Sequence, residues 1–375
     1  MYSVYYPSRL EFGVGAFDKL KDILPQYGQK YAVVYSRSAE KNGTADRLKA
    51  IFDKAGISFV HYVYTSGEPS PSDVEEALAI FRPEGCDAVL GIGGGSVLDT
   101  AKSVAGVMRC KGKVEDYIEL GDPKPFDAPP LPFIAVPTTA GTGSEATKNA
   151  VLSDTSRGFK VSLRHDSLIA KASIIDPELC TGVPKEKTAQ AGTDAVAQLV
   201  EAYMSKKANP FTDAVSMRGI KLAAKWLPVA YEDGGNLEAR GGMSMAAYFS
   251  GMALANATLG APHGLAAGIG AHFDIPHGLL CGIMLPHAMK YNIKESQERL
   301  KEIGFTATGK YDAAAAIEWV EGLNAMLGVP KDLKGLGISE DDIDKIYDSR
   351  SAGTLLGNPR HMGREEAREF LLNLI

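Results

Sequence analysis

Several features that would direct the reading elsewhere are scarce in this sequence. Four cysteines occur in 375 residues, Cys86, Cys110, Cys180 and Cys281. They form no C-x-x-C pair and no dense pattern, which argues against a disulfide scaffold or a zinc finger. They read as reduced, buried thiols. There is no long Lys/Arg run, and the formal net charge is -6. The field that gathers phosphate backbones is therefore missing, and nucleic acid is set aside as a partner. The opening residues lack a basic segment followed by an apolar one, so no secretory signal is read and a cytoplasmic location is expected. Charge is also absent from Gly241 to Phe273, a stretch long enough to raise the question of a membrane span. Asn256, Pro262, His263 and several glycines interrupt it, so it reads as buried helices with no membrane partner.

What is present is a globular composition, 45% hydrophobic and 23% charged, long enough for two cores. Short β-branched runs at Tyr31–Tyr35, Phe59–Val63, Ala88–Ile92 and Phe133–Val136 alternate with helical patterns at Ala45–Ala55, Pro71–Phe81 and Ser96–Cys110. That alternation predicts a parallel sheet covered on both faces, with ligands at the carboxyl ends of its strands. Beyond about Pro184 the pattern turns to long apolar periodicities, Thr188–Met204, Phe211–Leu227 and Met243–Leu259, with few strand signals. The expected organisation is an α/β domain over 1–183 and an all-α domain over 184–375.

Directly after the strand ending at Ile92 stand Gly93, Gly94, Gly95 and Ser96, with Asp99 three residues further on. Glycines let backbone N–H groups approach a phosphate, Ser96 with Asp99 has the form of a capping box, and a helix N-terminus attracts anions. A second loop, Pro137 to Glu145, offers the hydroxyls of Thr138, Thr139, Thr142 and Ser144 between glycines. Together the loops point to a pyrophosphate cradle and its flanking contacts.

These two loops, Gly93 to Lys102 and Pro137 to Glu145, resemble the signature loops of the iron-containing alcohol dehydrogenase family. The likeness extends from Tyr6–Gly13 through Ile175–Leu179 to Asn358–Arg360. It implies a Rossmann-like parallel-sheet domain joined to a helical domain, the dehydroquinate synthase-like superfamily fold. It further implies NAD(P) held by the first domain, with Asp99 and Lys102 supporting the turn, and a divalent metal in the second, in a homodimer. Where NAD-preferring members place an Asp after the second strand, this chain has Ser36 and Arg37. No carboxylate there repels a 2′-phosphate, and Arg37 could pair with one, which tilts the expectation towards NADPH.

The family's metal ligands are an Asp, a His four residues later, and two further histidines. The chain matches at Asp194, His263 and His277 but has Gln198 in place of the first histidine. A glutamine oxygen is a weaker ligand than imidazole for a transition metal, so affinity or metal preference should change, with Fe2+ and Zn2+ both open. His263 and His277 would stand ~21 Å apart on one continuous helix. Pro276 breaks that helix and lets the chain fold back towards Asp194. A second departure is Ala267, where many members carry a proton-relay histidine; His272 is the candidate substitute. The resemblance implies reversible hydride transfer between NAD(P) and a small alcohol or aldehyde, assisted by the metal. Alternatives on the same fold are a maleylacetate-reductase-like or dehydroquinate-synthase-like enzyme, or a dinucleotide-binding protein with altered catalysis.

Overall fold

The strand signals and the helix signals resolve into two packed halves in the computed structural model, which describes residues 2–375. Its strands are β1 (Leu10–Phe12), β2 (Lys30–Ser36), β3 (Ser58–Tyr64), β4 (Ala88–Gly93), β5 (Phe133–Pro137), β6 (Asn149–Asp154), β7 (Phe159–Arg164) and β8 (Ala172–Ile175). The longer helices are α1 (Thr44–Ala55), α2 (Pro71–Phe81), α3 (Gly95–Val107), α4 (Lys185–Met204), α5 (Pro210–Glu232), α6 (Leu237–Ala257), α7 (Ala261–Gly270), α8 (His277–Tyr291), α9 (Gln297–Thr308) and α10 (Ala313–Met326). Shorter helices complete the chain through Arg364–Leu372.

Six strands form a parallel sheet in the order β1-β8-β5-β4-β2-β3. Every residue of β4 is buried, as expected for a central strand with helices on both faces. The four apolar runs named above are β2 to β5. Added to them are the short strands β1 and β8 and an antiparallel hairpin of β6 and β7. From β2 the chain moves outward to β3, then returns to the other side of β2 to form β4. The strand order therefore reverses between the carboxyl ends of β2 and β4, and a doubly wound sheet binds ligands in the crevice opened there.

The helical half has its own core, in which Leu199, Ile220, Leu227, Leu265, Leu280 and Ile283 are fully enclosed. Burying each such side chain stabilises the fold by about 1.5–3 kcal/mol relative to leaving it exposed. The charge-free stretch from Gly241 forms α6, α7 and the turn after them. No helix among the described residues is long and apolar enough to cross a membrane.

The halves meet at the Pro137–Glu145 loop. A side chain at Gly141 would strike Ala191 of α4, and one at Gly143 would strike the backbone of Ala247 and Gly251 in α6. Gly143 also has φ +61, where an L side chain is strained. The loop expected to face the cofactor is thus also the seam that docks the sheet onto the helices.

Candidate active site

The first glycine loop enters α3 at the crevice between β2 and β4. Gly94, Gly95 and Ser96 are partly exposed, as are Thr138 and Thr139 across from them, and Thr142 is exposed. These residues line one cleft. The consecutive glycines have identifiable neighbours: a side chain at Gly93 would meet Val97, one at Gly94 would meet Thr139, and one at Gly95 would meet Thr142. The two loops therefore pack against each other backbone to side chain, leaving the N-terminus of α3 open to an anion.

The capping box expected from Ser96 and Asp99 does not form. Gly94 is the N-cap, and no side chain caps the helix. Asp99 instead accepts from Ser144 Oγ at 2.5 Å and from the Val151 amide at 3.0 Å. Lys102 is fully enclosed and donates to Ser144 O, Ser144 Oγ, Thr147 Oγ1 and Asn149 O at 2.7–2.9 Å. Asp99, Lys102 and Ser144 thus form a charged layer beneath the loops, with Glu145 buried beside it. Burial raises the Glu145 carboxyl to about 7 and pulls Lys102 down to about 8. Of the residues expected to bind cofactor, these three hold the loops in place and do not line the cleft.

Ser36 closes β2 on the other side of the switch point. Arg37 follows it, exposed and without an ion-pair partner among the described residues.

In the helical half, α7 ends at Gly270 and α8 begins at His277 after Pro276, so the chain doubles back as expected. The His263 and His277 rings come to 5.2 Å between centroids. His263 Nε2 lies 3.1 Å from Asp194 Oδ1. Donor atoms of Asp194, His263, His277 and Cys281 all fall within 4.8 Å of one another. His263 Nδ1 is paired with Glu201 Oε2, whose other oxygen accepts from the Gly260 and His263 amides at 2.9 and 3.3 Å. This is the carboxylate–histidine support that orients metal-ligating imidazoles. His277 Nδ1 is buried without any hydrogen-bond partner. A carboxylate, two imidazoles and a thiol converging within 4.8 Å fit a divalent transition metal.

The electrostatics of the cluster follow from burial and proximity. Burial opposes a charge on His263, but Cys281, Glu201 and the Asp194 bond outweigh it and raise its pKa well above the imidazole range. His277 is pushed down to about 4 by burial and by the nearby Lys160 cation. It is therefore neutral at pH 7, the form that ligates a metal. Burial also works against ionised Asp194, yet the hydrogen bond from His263 and the positive charge of that ring bring its pKa below the usual value.

Comparison with known proteins agrees with this geometry over the whole chain. Residues 7–177 match the family described as iron-containing alcohol dehydrogenase, and residues 188–374 match its C-terminal family. The 1,3-propanediol dehydrogenase of Klebsiella pneumoniae is 34% identical over 98% of this chain and 97% of its own length. The chain belongs to the iron-containing alcohol dehydrogenase family. The NAD-dependent methanol dehydrogenase of Bacillus methanolicus is 32% identical over 92% of both chains. The crystal structure of a 1,3-propanediol oxidoreductase superposes with a TM-score of 0.93 at 32% identity, covering 100% of each chain. The activity class is accordingly that of NAD-linked alcohol dehydrogenases.

Within the iron-containing alcohol dehydrogenase frame, the departures can now be located. Gln198 lies one turn after Asp194 on α4; its Nε2 donates to Asp194 Oδ2 at 3.2 Å, and its Oε1 accepts from Ser250 Oγ at 2.8 Å. Both polar ends are held by the protein, so its oxygen is not turned towards the donor cluster as the expected ligand role requires. Ala267 is buried in α7. His272 Nε2 pairs with Ser349 Oγ at 2.8 Å, and its ring packs over Gly158. It stands outside the donor cluster, held by Ser349.

Two residues at the site escaped the sequence reading. Glu201 is seven positions after Asp194 and shares its face of α4; Cys281 is four after His277 on α8. Both spacings were present. A lone cysteine in an apolar helix reads as core, and only the fold-back shows what Cys281 faces.

Proposed function

We propose that this chain interconverts small primary alcohols and their aldehydes with NADP(H), using a divalent metal held by Asp194, His263 and His277. The observation that carries the reading is the convergence of those three donors, largely buried and within 4.8 Å of one another. The dinucleotide supplies the hydride acceptor or donor, and the metal supplies Lewis-acid polarisation of the substrate oxygen. Gly94, Gly95 and Ser96 offer backbone N–H groups to the pyrophosphate, while Thr138, Thr139 and Thr142 orient the rest of the cofactor. Glu201 fixes the ring of His263 and so keeps its Nε2 facing Asp194. The layer of Asp99, Lys102 and Ser144 keeps both loops rigid.

The preference for NADP(H) is supported by Arg37, an exposed cation with no partner, one residue beyond the end of β2. The metal is Fe2+ or Zn2+, since both accept this donor set. The reading extends to a cytoplasmic homodimer: β1 is an edge strand, and its last residue, Phe12, is 47% exposed.

The test is metal analysis of the purified protein together with a panel of small aldehydes and both reduced cofactors. The expected result is aldehyde-dependent consumption of NADPH that chelation abolishes and Zn2+ or Fe2+ restores. A protein that binds the dinucleotide yet turns over no aldehyde or alcohol after reconstitution would contradict the reading.

A further inference from the structure

Cys281 lies in the same enclosed space as the three donors named above. Its Sγ is 3.6 Å from His277 Nε2, and the residue is 0% exposed. A tetrahedral centre with bonds of about 2.0 Å to nitrogen or oxygen and about 2.3 Å to sulfur has donor-to-donor edges of ~3.3 Å, or ~3.5 Å where sulfur takes part. The Asp194 Oδ1 to His263 Nε2 edge is 3.1 Å and the Cys281 to His277 edge is 3.6 Å. No pair in the set of four exceeds 4.8 Å. Two edges are thus close to tetrahedral values and every other pair lies within 4.8 Å, so small side-chain shifts bring all four donors onto one ion. Cys281 also shares a helix face with His277, so α8 presents both donors from consecutive turns.

Gln198 is the competing fourth donor, and its contacts count against it. It donates to Asp194 and accepts from Ser250. Turning its amide over would set its oxygen against the Asp194 carboxylate. Cys281 has no such engagement elsewhere: its partners are His277 and His263, both members of the cluster.

We propose that Cys281 is the fourth protein ligand of the metal centre, a thiolate in the role that Gln198 leaves. The inference rests on the metal reading given under the proposed function. On coordination the S–H bond is replaced by a sulfur–metal bond, and one proton is released to solvent. Two anionic ligands, Asp194 and Cys281, then balance a divalent ion among largely buried donors, where an uncompensated charge is costly. The soft sulfur selects Zn2+, Fe2+ or Co2+ over Mn2+ and Mg2+.

Cobalt tests this directly, because a thiolate bound to Co2+ gives a near-ultraviolet charge-transfer band that oxygen and nitrogen ligands do not. Metal-free full-length protein is titrated with Co2+ as wild type, Cys281→Ser, Asp194→Asn and the Cys86→Ser/Cys110→Ser/Cys180→Ser triple variant. The expected result is one Co2+ per chain with the charge-transfer band in wild type and in the triple variant. Cys281→Ser should keep the visible cobalt bands, lose the near-ultraviolet band and bind Co2+ at least tenfold more weakly. Visible cobalt bands in wild type without the charge-transfer band would overturn the Cys281 assignment and leave the metal reading standing. Binding no stronger in wild type than in Asp194→Asn would overturn both.

Discussion

Gln198 Nε2 donates to Asp194 Oδ2 across 3.2 Å, and the other end of the same amide accepts from Ser250 at 2.8 Å. The residue that breaks the family's ligand pattern is therefore a buried bracket between the metal carboxylate and α6. Replacing it restores an imidazole four residues after Asp194, on the same helix face. Gln198→His is expected to raise affinity for Fe2+ or Zn2+ by about tenfold or more, imidazole being the better ligand. Equilibrium metal titration checks this, and an unchanged affinity would show that position 198 does not face the ion.

The buried Glu145 makes stability depend on pH in a specific direction. Its folded pKa of about 7 lies above that of an exposed glutamate, so the folded state holds the proton more tightly than the unfolded one. Its contribution is full at low pH and is lost as pH rises through about 7, by up to on the order of 3 kcal/mol. Glu145→Gln imitates the protonated form. The variant should gain stability relative to wild type as pH is raised from 5 to 8 in denaturant unfolding. A difference that does not move with pH would sink this account.

Gly143 joins the cofactor loop to the helical half with no room for a β-carbon and with φ +61. Gly143→Ala is expected to lower stability by at least about 2 kcal/mol, because a strained backbone and a clash with α6 add. Dinucleotide affinity should fall with it, since Thr138, Thr139 and Thr142 share the loop. Thermal unfolding and a fluorescence titration with NADPH together check both effects.

Much of this architecture is legible in the sequence, for reasons that differ by element. Strands β2, β4 and β5 are buried on both faces and read as apolar runs, whereas β3 is a half-exposed edge strand read from its aromatic and β-branched residues. The edge strand β1 contains Glu11 in three residues, and the β6–β7 hairpin carries Lys160 and Arg164, so neither shows such a run. Ser96 and Asp99 have the spacing of a capping box, but the partner of Asp99 is Ser144, 45 residues away. Long-range pairing of that kind leaves no local signal. Asp194, His263 and His277 are recoverable because the resemblance names them. Glu201 and Cys281 become visible only when α7 and α8 fold back onto α4.

The proposed preference for NADP(H) rests on one exposed side chain, Arg37. A charge-assisted contact to a 2′-phosphate stabilises binding by about 1.5–3 kcal/mol. Arg37→Ala should therefore reduce kcat/KM with NADPH by about tenfold or more while changing that with NADH less than about twofold. Steady-state rates with both cofactors measure it; equal losses with the two would remove Arg37 from the 2′-phosphate.

The central claim is that hydride transfer depends on the metal donors of α4, α7 and α8 and not on the dinucleotide cleft alone. The most direct measurement is single-turnover oxidation of bound NADPH by a small aldehyde, in wild type and Asp194→Asn, with cofactor affinity determined in parallel. The account predicts bound metal and rapid oxidation in wild type. In Asp194→Asn it predicts loss of the metal and a rate lower by about a hundredfold or more, with cofactor affinity unchanged. An Asp194→Asn protein that oxidises NADPH as fast as wild type would contradict it.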